Sequence, residues 1–578
     1  MNDNRTKKYG SLIFCLIIIL ISLFSVYFYQ VAWGWPVVDS FPQIEKLLNK
    51  QFLPADFYTN TFEEFSPRLY VSYFYIFGAN VFHVDYTVFI AFVNLLRIFL
   101  LNIAVFTLLY VLSNKQTYIA LIGMFLGAIS FYSIPRTIAW FFSTPVFSAA
   151  EFSLVFILFG FVLIYRANIF SSCMLFAIAM LLHPVLTLHG LAIAGLLFVA
   201  TYNFSEIKSM INRWSILGLL SIIGAFFVSY IPLKLSEKGV ALLSSKEYTT
   251  IIGDLRHPHH YIPSKFGIEN WFIAIMYAVI IIYMIYVIRK RLPASILRFL
   301  KLYGLYITFM MAIGYLFVEV VPIKSIVTII PYRTFVFVPV FYLFIFAYYM
   351  YYKLRNKDYL SFLLLHLPFI PVLTQDIKLS TLMMGAVFVY AVWSDWLFAK
   401  KGLKLHIYLD RYLMKRIGLH YFYLILVLLA FAGSFFVLDR KLAFNIPDIS
   451  EPRNELYAWV KENTAQDAQI LADIDVDHLV NQKLRLIANR SVPVSKDFPF
   501  NEKYYKEWAE RFMDIYDGKY DNVGHINELT QTELRSLMKK YQVDIILRTE
   551  KLEGTSYFSL QKTIPLKGKN VYIYKAMQ

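Results

Sequence analysis

The sequence comprises 578 residues, of which 58% are hydrophobic and 16% are charged, and its mean hydropathy is +0.55. This composition excludes an ordinary water-soluble protein and indicates a polytopic α-helical membrane protein. The formal net charge is +16, but the basic residues fall mostly in short clusters between apolar runs, at 289–291, 353–357 and 400–404. Such clusters set membrane topology, so the charge does not indicate a nucleic-acid partner.

About thirteen apolar segments are long enough to cross a membrane, since a spanning helix needs about 20 residues. They lie near 11–29, 87–113, 117–134, 146–165, 168–184, 186–203, 215–233, 268–288, 298–320, 333–352, 359–375, 379–398 and 420–438. The run 171–202 is divided at His183-Pro184, because only this division places every basic cluster on the side of the N-terminal RTKK. The sequence therefore predicts a transmembrane domain over residues 1–438, with a retained first helix and a cytoplasmic N-terminus.

Three segments on the predicted outer face are long enough to form a site: 30–86, 234–267 and 439–578. The first contains amphipathic pieces that are suited to lying along the membrane surface. The last alternates stretches typical of helices with stretches typical of strands, and it predicts a small extracytoplasmic α/β domain. The helical stretches are 451–464, 501–516 and 529–541, and the strand stretches are 469–474, 483–488, 543–549 and 570–576.

The first outer segment carries an early carboxylate, Asp39, within the string WPVVDSFPQ, about ten residues beyond the first span. This string and the predicted layout resemble the GT-C superfamily of integral membrane glycosyltransferases, which take sugars from polyprenyl-phosphate carriers. The motif WWDYG is absent, so the resemblance indicates no subfamily. It implies an enzyme in the plasma (inner) membrane that transfers a sugar from a polyprenyl-phosphate-linked donor to an envelope glycan, lipid or protein on the outer face.

The resemblance implies that Asp39 is the catalytic base. Glycosyl transfer from a lipid phosphate needs a base for the acceptor hydroxyl, and it needs cations or a metal to stabilise the departing phosphate. The alternative is that Asp39 is a solvated loop residue, or the N-cap of a helix that begins near Phe41.

The second outer loop is the short stretch between the third and fourth predicted spans. It precedes Glu151, which stands at the start of the fourth predicted span. By the resemblance, an acid near this loop assists metal or acceptor binding, and Glu151 is the candidate. The alternative is an ion pair with Arg136 that joins two helix ends. Arg136 is itself a candidate for contact with the donor phosphate.

The string GDLRHPHHYIPSKFG, residues 253–267, places Arg256, His257, His259 and His260 within five positions on the outer face. This concentration of potential cations predicts a clamp for the phosphate of the donor. Clustered imidazoles also suit zinc, so a divalent metal is an open alternative to the phosphate. A third interpretation is a polar loop that packs against the C-terminal domain.

Three more polar residues lie at apparently apolar positions. Arg333 begins the tenth span and is a second phosphate candidate, with snorkelling to the interface as the alternative. His183 is interpreted as a structural histidine at the turn between two spans. Arg97, in the middle of the second span, has no evident partner in the sequence.

The string LADIDVDHL places Asp473, Asp475 and Asp477 at alternate positions, with His478 next to the last. Alternate residues of a strand share one face, so these carboxylates form either a polar strand end or a ligand site.

Three other functions fit a basic polytopic protein: a lipid-linked glycan flippase, a non-catalytic subunit of polysaccharide assembly, and a lipid-linked glycan polymerase or ligase. The transferase interpretation predicts that Asp39, Glu151, Arg256 and Arg333 converge on one cavity that opens to the outer face. The sequence fixes neither the sugar, the acceptor nor the oligomeric state.

Overall fold

A computed structural model describes residues 3–28, 35–129, 149–239, 242–369, 377–400, 422–426, 428–429, 455–472, 474, 480–518, 524–554, 557–566 and 568–577. Up to residue 400 the described chain is helical. Its helices are α1 (Asp3–Phe28), α2 (Trp35–Leu48), α3 (Phe57–Asn60), α4 (Leu69–Phe82), α5 (Tyr86–Leu112), α6 (Thr117–Ile129), α7 (Ala149–Tyr165), α8 (Ile169–Leu182), α9 (Pro184–Thr201), α10 (Phe204–Met210), α11 (Arg213–Ser236), α12 (Ser245–Thr249), α13 (Pro258–Tyr261), α14 (Ile268–Ile288), α15 (Ala294–Gly314), α16 (Lys324–Ile329), α17 (Val338–Arg355), α18 (Tyr359–Leu364) and α19 (Ile377–Lys400).

Short turns of other helix types connect several of these elements. Two are π-helical, Thr250–Arg256 and Tyr315–Val320. The 3-10 turns of this part are Thr61–Glu63, Pro263–Lys265, Pro331–Phe337 and Leu367–Phe369.

Six segments within the described residues are long and apolar enough to cross a membrane: Tyr86–Leu112, Pro184–Thr201, Arg213–Ser236, Ile268–Ile288, Ala294–Val320 and Lys324–Arg355. Shorter apolar helices accompany them, among them α6, α7 and α8. On α11 and α14, large apolar side chains such as Leu220 and Ile282 are exposed, as expected where a helix faces lipid. The count of about thirteen spans stays a prediction, and most of the predicted span 420–438 lies outside the described residues.

The chain breaks at His183 between α8 and α9, where the sequence predicted a division. Pro184 has no backbone N–H and cannot extend α8, so it takes the first position of α9 instead. The His183 ring accepts a hydrogen bond at Nδ1 from the backbone N–H of Leu186, at 3.1 Å. His183 is thus the N-cap of α9, in agreement with its interpretation as a structural turn histidine.

The C-terminal part contains a four-stranded sheet of β1 (Ile470–Ala472), β2 (Ile545–Arg548), β3 (Phe558–Leu566) and β4 (Lys569–Ala576), in the order β1-β2-β4-β3. β1 and β2 are parallel, and the other pairs are antiparallel. Its helices are α20 (Glu455–Asn463), α21 (Val480–Leu486), α22 (Tyr505–Tyr516) and α23 (Gln531–Tyr541), with 3-10 turns at Glu502–Tyr504 and His525–Asn527.

The secondary structure of this part differs from the sequence prediction at two places. Residues 483–488 are not a strand; most of them belong to α21, because Val480 and Leu484, one helical turn apart, are buried against the sheet. The strand β3 had no clear pattern in the sequence. Five consecutive positions, 559–563, are not buried, and a register shift between Leu560 and Lys562 interrupts the alternation.

The C-terminal part is docked on the outer segments of the apolar part. Trp508 and Phe512 of α22 share one buried cluster with Tyr248 and Ile252 of the second outer segment and with Val327 of α16. Burial of this apolar surface fixes the sheet and its helices over the ends of the long helices.

Candidate functional site

A narrow cleft lies where three helix beginnings meet. It is formed by the start of α7, the break between α8 and α9, and the turn that precedes α17. Its lining residues are Ala150, Glu151, Leu154, His183, Leu186, Arg333 and Val336. All three helix ends belong to the predicted outer side of the membrane, so the cleft is predicted to lie at that boundary.

The carboxylate of Glu151 is buried at the cleft and forms an ion pair with Arg97 of α5. The Arg97 Nε also donates a hydrogen bond to Asn94 Oδ1, at 2.9 Å. No partner of Arg97 was evident from the sequence, and Arg136 was the alternative partner predicted for Glu151. Arg136 lies outside the described residues, so its predicted phosphate contact stays a prediction.

Arg333 enters the cleft from a short 3-10 turn that begins after Ile330, a residue with left-handed backbone (φ 53°, ψ 75°). Arg256 comes two residues before α13, and α13 packs against the turn that carries Arg333. His183 and Arg333 both line the cleft, and α4, which begins directly after Arg68, packs against α8. Arg333 thus lines the cleft, and Arg68 and Arg256 belong to segments that pack beside it, an arrangement that favours an anion although the Glu151 carboxylate also lines the cleft.

The string around Arg256 packs against the C-terminal part. The guanidinium of Arg256 lies 4.2 Å from the centroid of the Phe498 ring. The rings of His257 and His260 stand edge to face, 5.1 Å apart. This docking matches the packing interpretation of the string, while Arg256 also stands near Arg333. The side chain of His259 lies outside the described part of the chain.

Asp39 lies inside α2, four residues after its first residue Trp35. The alternative that Asp39 caps a helix beginning near Phe41 is therefore wrong, because the helix starts earlier. The Asp39 side chain lies outside what the structure describes, so its convergence with Glu151 and Arg333 is untested.

A buried cluster of charges connects the first outer segment to the C-terminal part. Asp56 Oδ2 accepts hydrogen bonds from Arg485 Nε at 2.7 Å and from the Val492 backbone at 2.9 Å. The other arm of Arg485 donates to Asp497 and Ser495. Burial opposes the charge of Arg485, but the two carboxylates outweigh it and raise the pKa of Arg485. Asp56 is thus a structural anchor.

Metal binding has no support among the described residues, which contain no group of three His, Cys, Asp or Glu side chains suited to an ion. The predicted acidic group lies outside the described residues; its members are Asp473, Asp475, Asp477 and His478. Both interpretations of this group, a polar strand end and a ligand site, therefore stay predictions.

Sequence reasoning missed two features near the cleft, namely the role of Arg68 and the segment 498–500. In the sequence, Arg68 stands out only as a basic residue that follows several acidic residues. The aromatic residues of 498–500 gave no signal, because their partners are far away in the sequence.

A family model described as "Domain of unknown function (DUF6798)" matches residues 452–515, which is too little of the chain to assign it to a family. Comparison of the sequence with curated proteins finds no match.

Among solved structures, the archaeal oligosaccharyltransferase AglB from Archaeoglobus fulgidus, in complex with an inhibitory peptide and a dolichol-phosphate, is 12% identical. Its TM-score is 0.42, over 94% of this chain and 70% of that chain. The apo form of the Archaeoglobus fulgidus oligosaccharyltransferase is 11% identical, with a TM-score of 0.42 over 93% and 69%. Its complex with Zn and sulfate is 10% identical, with a TM-score of 0.39 over 92% and 68%. Similarity at this level does not establish a common fold. The apolar helices define the chain as a helical membrane protein.

Proposed function

We propose that the chain is an integral membrane glycosyltransferase that moves a sugar from a polyprenyl-phosphate-linked donor to an acceptor on the outer face of the plasma membrane. The observation that carries this proposal is the cleft at the outer helix ends, where Glu151 stands beside Arg333 and His183, with Arg68 and Arg256 nearby. The GT-C-like order of segments seen in the sequence agrees with it.

The chemistry assigns complementary roles to these groups. The bond from the sugar to the phosphate breaks as the acceptor oxygen bonds to the sugar carbon, and negative charge grows on the departing phosphate. Arg333 and Arg256 stabilise this charge through charge-assisted hydrogen bonds. Asp39 takes the proton of the acceptor hydroxyl. Glu151, which is held by Arg97, shapes the cleft wall on the side of α7.

Replacement of both clamp residues tests donor binding. Because charge-assisted hydrogen bonds contribute roughly 1.5–3 kcal/mol each, Arg256→Ala with Arg333→Ala should weaken the binding of farnesyl phosphate by at least about 100-fold. Binding is measured by native mass spectrometry of the full chain in nanodiscs, together with the unfolding temperature.

The matched control is Arg289→Ala with Arg291→Ala. These two arginines also stack on aromatic rings, Tyr286 and Tyr352, but they lie in the predicted cytoplasmic cluster. Unchanged binding in the Arg256 and Arg333 double variant would contradict the clamp and return the 253–267 string to a packing role.

Replacement of Asp39 tests the catalytic step. Asp39→Asn keeps the size of the side chain but cannot accept the proton, so sugar transfer should fall by roughly 100- to 10,000-fold while donor binding persists. Transfer of a radiolabelled sugar from a polyprenyl-phosphate-linked donor is the measurement, and Asp254→Asn on the second outer segment is the control. Near-normal transfer would reject Asp39 as the base. Donor translocation without transfer by the wild-type protein would favour a flippase.

A further inference from the structure

Two arginines near the cleft stack on one short segment of the C-terminal part. The guanidinium of Arg256 lies 4.2 Å from the centroid of the Phe498 ring, and that of Arg68 lies 4.5 Å from the centroid of the Phe500 ring. Only Pro499 separates the two phenylalanines, and we refer to residues 498–500 as the FPF segment. Arg68 and Arg256 come from different predicted outer segments, 30–86 and 234–267, so the FPF segment joins these two segments.

Both arginines are close to the groups that line the cleft. Helix α4, which begins directly after Arg68, packs against α8, which ends at the residue before His183, and α13, which begins two residues after Arg256, packs against the turn that carries Arg333. Basic side chains gathered around one cleft produce a positive potential, which favours the binding of an anion. The Nε of Arg256 is also buried with no hydrogen-bond partner in the described part of the chain. Its donor capacity is thus incompletely used.

The FPF segment is itself held firmly. The Phe498 side chain is buried, and its ring centroid lies 4.7 Å from that of Trp508 and 4.6 Å from that of Tyr505. The Trp508 indole donates hydrogen bonds to the backbone oxygens of Ser495 and Asp497, at 3.2 and 3.0 Å. The side chain of Asp497 belongs to the buried charge cluster with Arg485 and Asp56. The segment thus has little freedom to move relative to the outer segments.

We infer that the FPF segment is a positioning element of the cleft, which holds Arg68 and Arg256 so that both reach a phosphate group bound beside Arg333. This inference rests on the proposed function and adds Arg68 to the cations of the site. A guanidinium that lies over a ring keeps the N–H groups in its own plane, where they can meet phosphate oxygens. It also gives the segment matched by the unknown-function family model a role, because residues 452–515 contain Arg485, Asp497 and the FPF segment.

The test removes the aromatic faces and keeps the apolar volume. Phe498→Leu and Phe500→Leu should each weaken binding of farnesyl phosphate to the full chain in nanodiscs by about 2- to 30-fold, the range expected for loss of one cation–π contact. Phe500→Tyr keeps the ring face and should bind like the wild type. Tyr557→Leu is the matched control, because Tyr557 lies under Arg535 at 4.7 Å in a contact outside the cleft.

Inorganic phosphate is the second probe. If the Leu variants bind both probes more weakly, the two arginines recognise the phosphate group alone. If only the binding of farnesyl phosphate is weaker, they recognise a phosphate that is linked to a lipid. Wild-type affinity for farnesyl phosphate in both Leu variants overturns the inference and leaves the proposed function standing.

A different result separates the two proposals. If the wild-type chain binds neither probe, the donor chemistry of the proposed function fails. The phosphate contact of Arg68 and Arg256 then fails with it, and hydrogen exchange of the backbone amides at 66–72 and 252–258 tests only whether the FPF segment holds the two arginines. Faster exchange in the Leu variants than in the wild type and in Tyr557→Leu supports the role, and unchanged exchange overturns it.

Discussion

Arg97 and Glu151 are fully buried side chains on two neighbouring helices, α5 and α7, that form an ion pair. Removal of a charge from water is costly, and an ion pair in an apolar interior recovers that cost only through close contact with its partner. Asn94 satisfies a further N–H group of Arg97. The pair therefore fixes the relative position of α5 and α7, and it fixes Glu151 at the cleft.

Removal of one charge of the Arg97–Glu151 pair should destabilise the protein more than removal of both charges. Arg97→Met removes the charge with which the buried Glu151 carboxylate is paired and should lower the free energy of unfolding by about 3–5 kcal/mol. Arg97→Met with Glu151→Leu removes both charges and should recover most of that loss. Unfolding in detergent, followed by tryptophan fluorescence, measures both variants.

Arg298→Met, which replaces an exposed arginine on α15, is the control for this cycle. A double variant as unstable as Arg97→Met would show that the two residues do not act as a pair. Transfer activity of the double variant then tells whether Glu151 has a role beyond its ion pair.

At the scale of single residues, the sequence identified candidate cations but not their contacts. Arg333 and Arg256 were recognisable because basic side chains stood out at the edges of apolar runs. The partner of Arg97 lies 54 positions away in Glu151, and that of Arg485 lies 429 positions away in Asp56. Such pairs depend on how helices and outer segments meet, which the local pattern does not contain.

At the scale of elements, helices α22 and α23 are joined by a polar contact at their ends. Asp514 accepts hydrogen bonds from Lys540 at 2.6 Å and from the Tyr541 hydroxyl. Burial raises the pKa of Asp514, but these hydrogen bonds more than offset it, so the pKa lies below its ordinary value. Burial, assisted by the hydrogen bond to Asp514, raises the pKa of Tyr541 to about 12.

The contact of Asp514 with Lys540 and Tyr541 predicts that part of the protein's stability is lost at acidic pH. Because folding lowers the pKa of Asp514, its contribution is complete above the unfolded pKa of about 3.9 and is lost as the pH falls through the folded value. Wild type should therefore lose more stability between about pH 5 and pH 2 than Asp514→Asn does. The difference should be small, since the side chain is about one-third exposed (32%) and water screens it.

Thermal unfolding of both proteins across this pH range measures the difference. Glu510→Gln, which replaces an exposed acid on the same helix, should leave the pH profile of the wild type unchanged. An identical acid profile for wild type and Asp514→Asn would mean that the contact does not contribute.

The predictability of elements follows their patterning. The break at His183-Pro184 was predictable, because proline ends a helix and the basic clusters required a division there. The strand at 483–488 was wrongly predicted, because a short apolar run fits either a strand or a helix until its packing is known. In β3 the bulge and the exposed centre removed the alternation on which a strand prediction depends.

At the scale of the whole molecule, the C-terminal part and the cluster at 289–291 lie at opposite ends of α14. The segment 245–262, which shares its buried cluster with α22, precedes the start of α14 at Ile268. α14 has 21 residues, which corresponds to a length of about 30 Å, the thickness of the hydrocarbon core. The docked sheet and Arg291 should therefore lie on opposite faces of the membrane.

Reporter fusions after Arg291, Lys404 and Gln578 test this arrangement. A fusion after Arg291 should be cytoplasmic, because basic clusters remain on the inner side, and a fusion after Gln578 should be external. A fusion after Lys404, in a stretch outside the described residues, should also be cytoplasmic. Alkaline phosphatase activity reports the outer face, green fluorescence reports the inner face, and each site carries both reporters in turn. Equal faces for Arg291 and Gln578 would mean that α14 does not cross the membrane. An external fusion after Arg291 together with a cytoplasmic fusion after Gln578 would place the cleft on the cytoplasmic side. An outer-face transferase cannot act there, so this result would reject the proposed function. It would not contradict the docking of the C-terminal part.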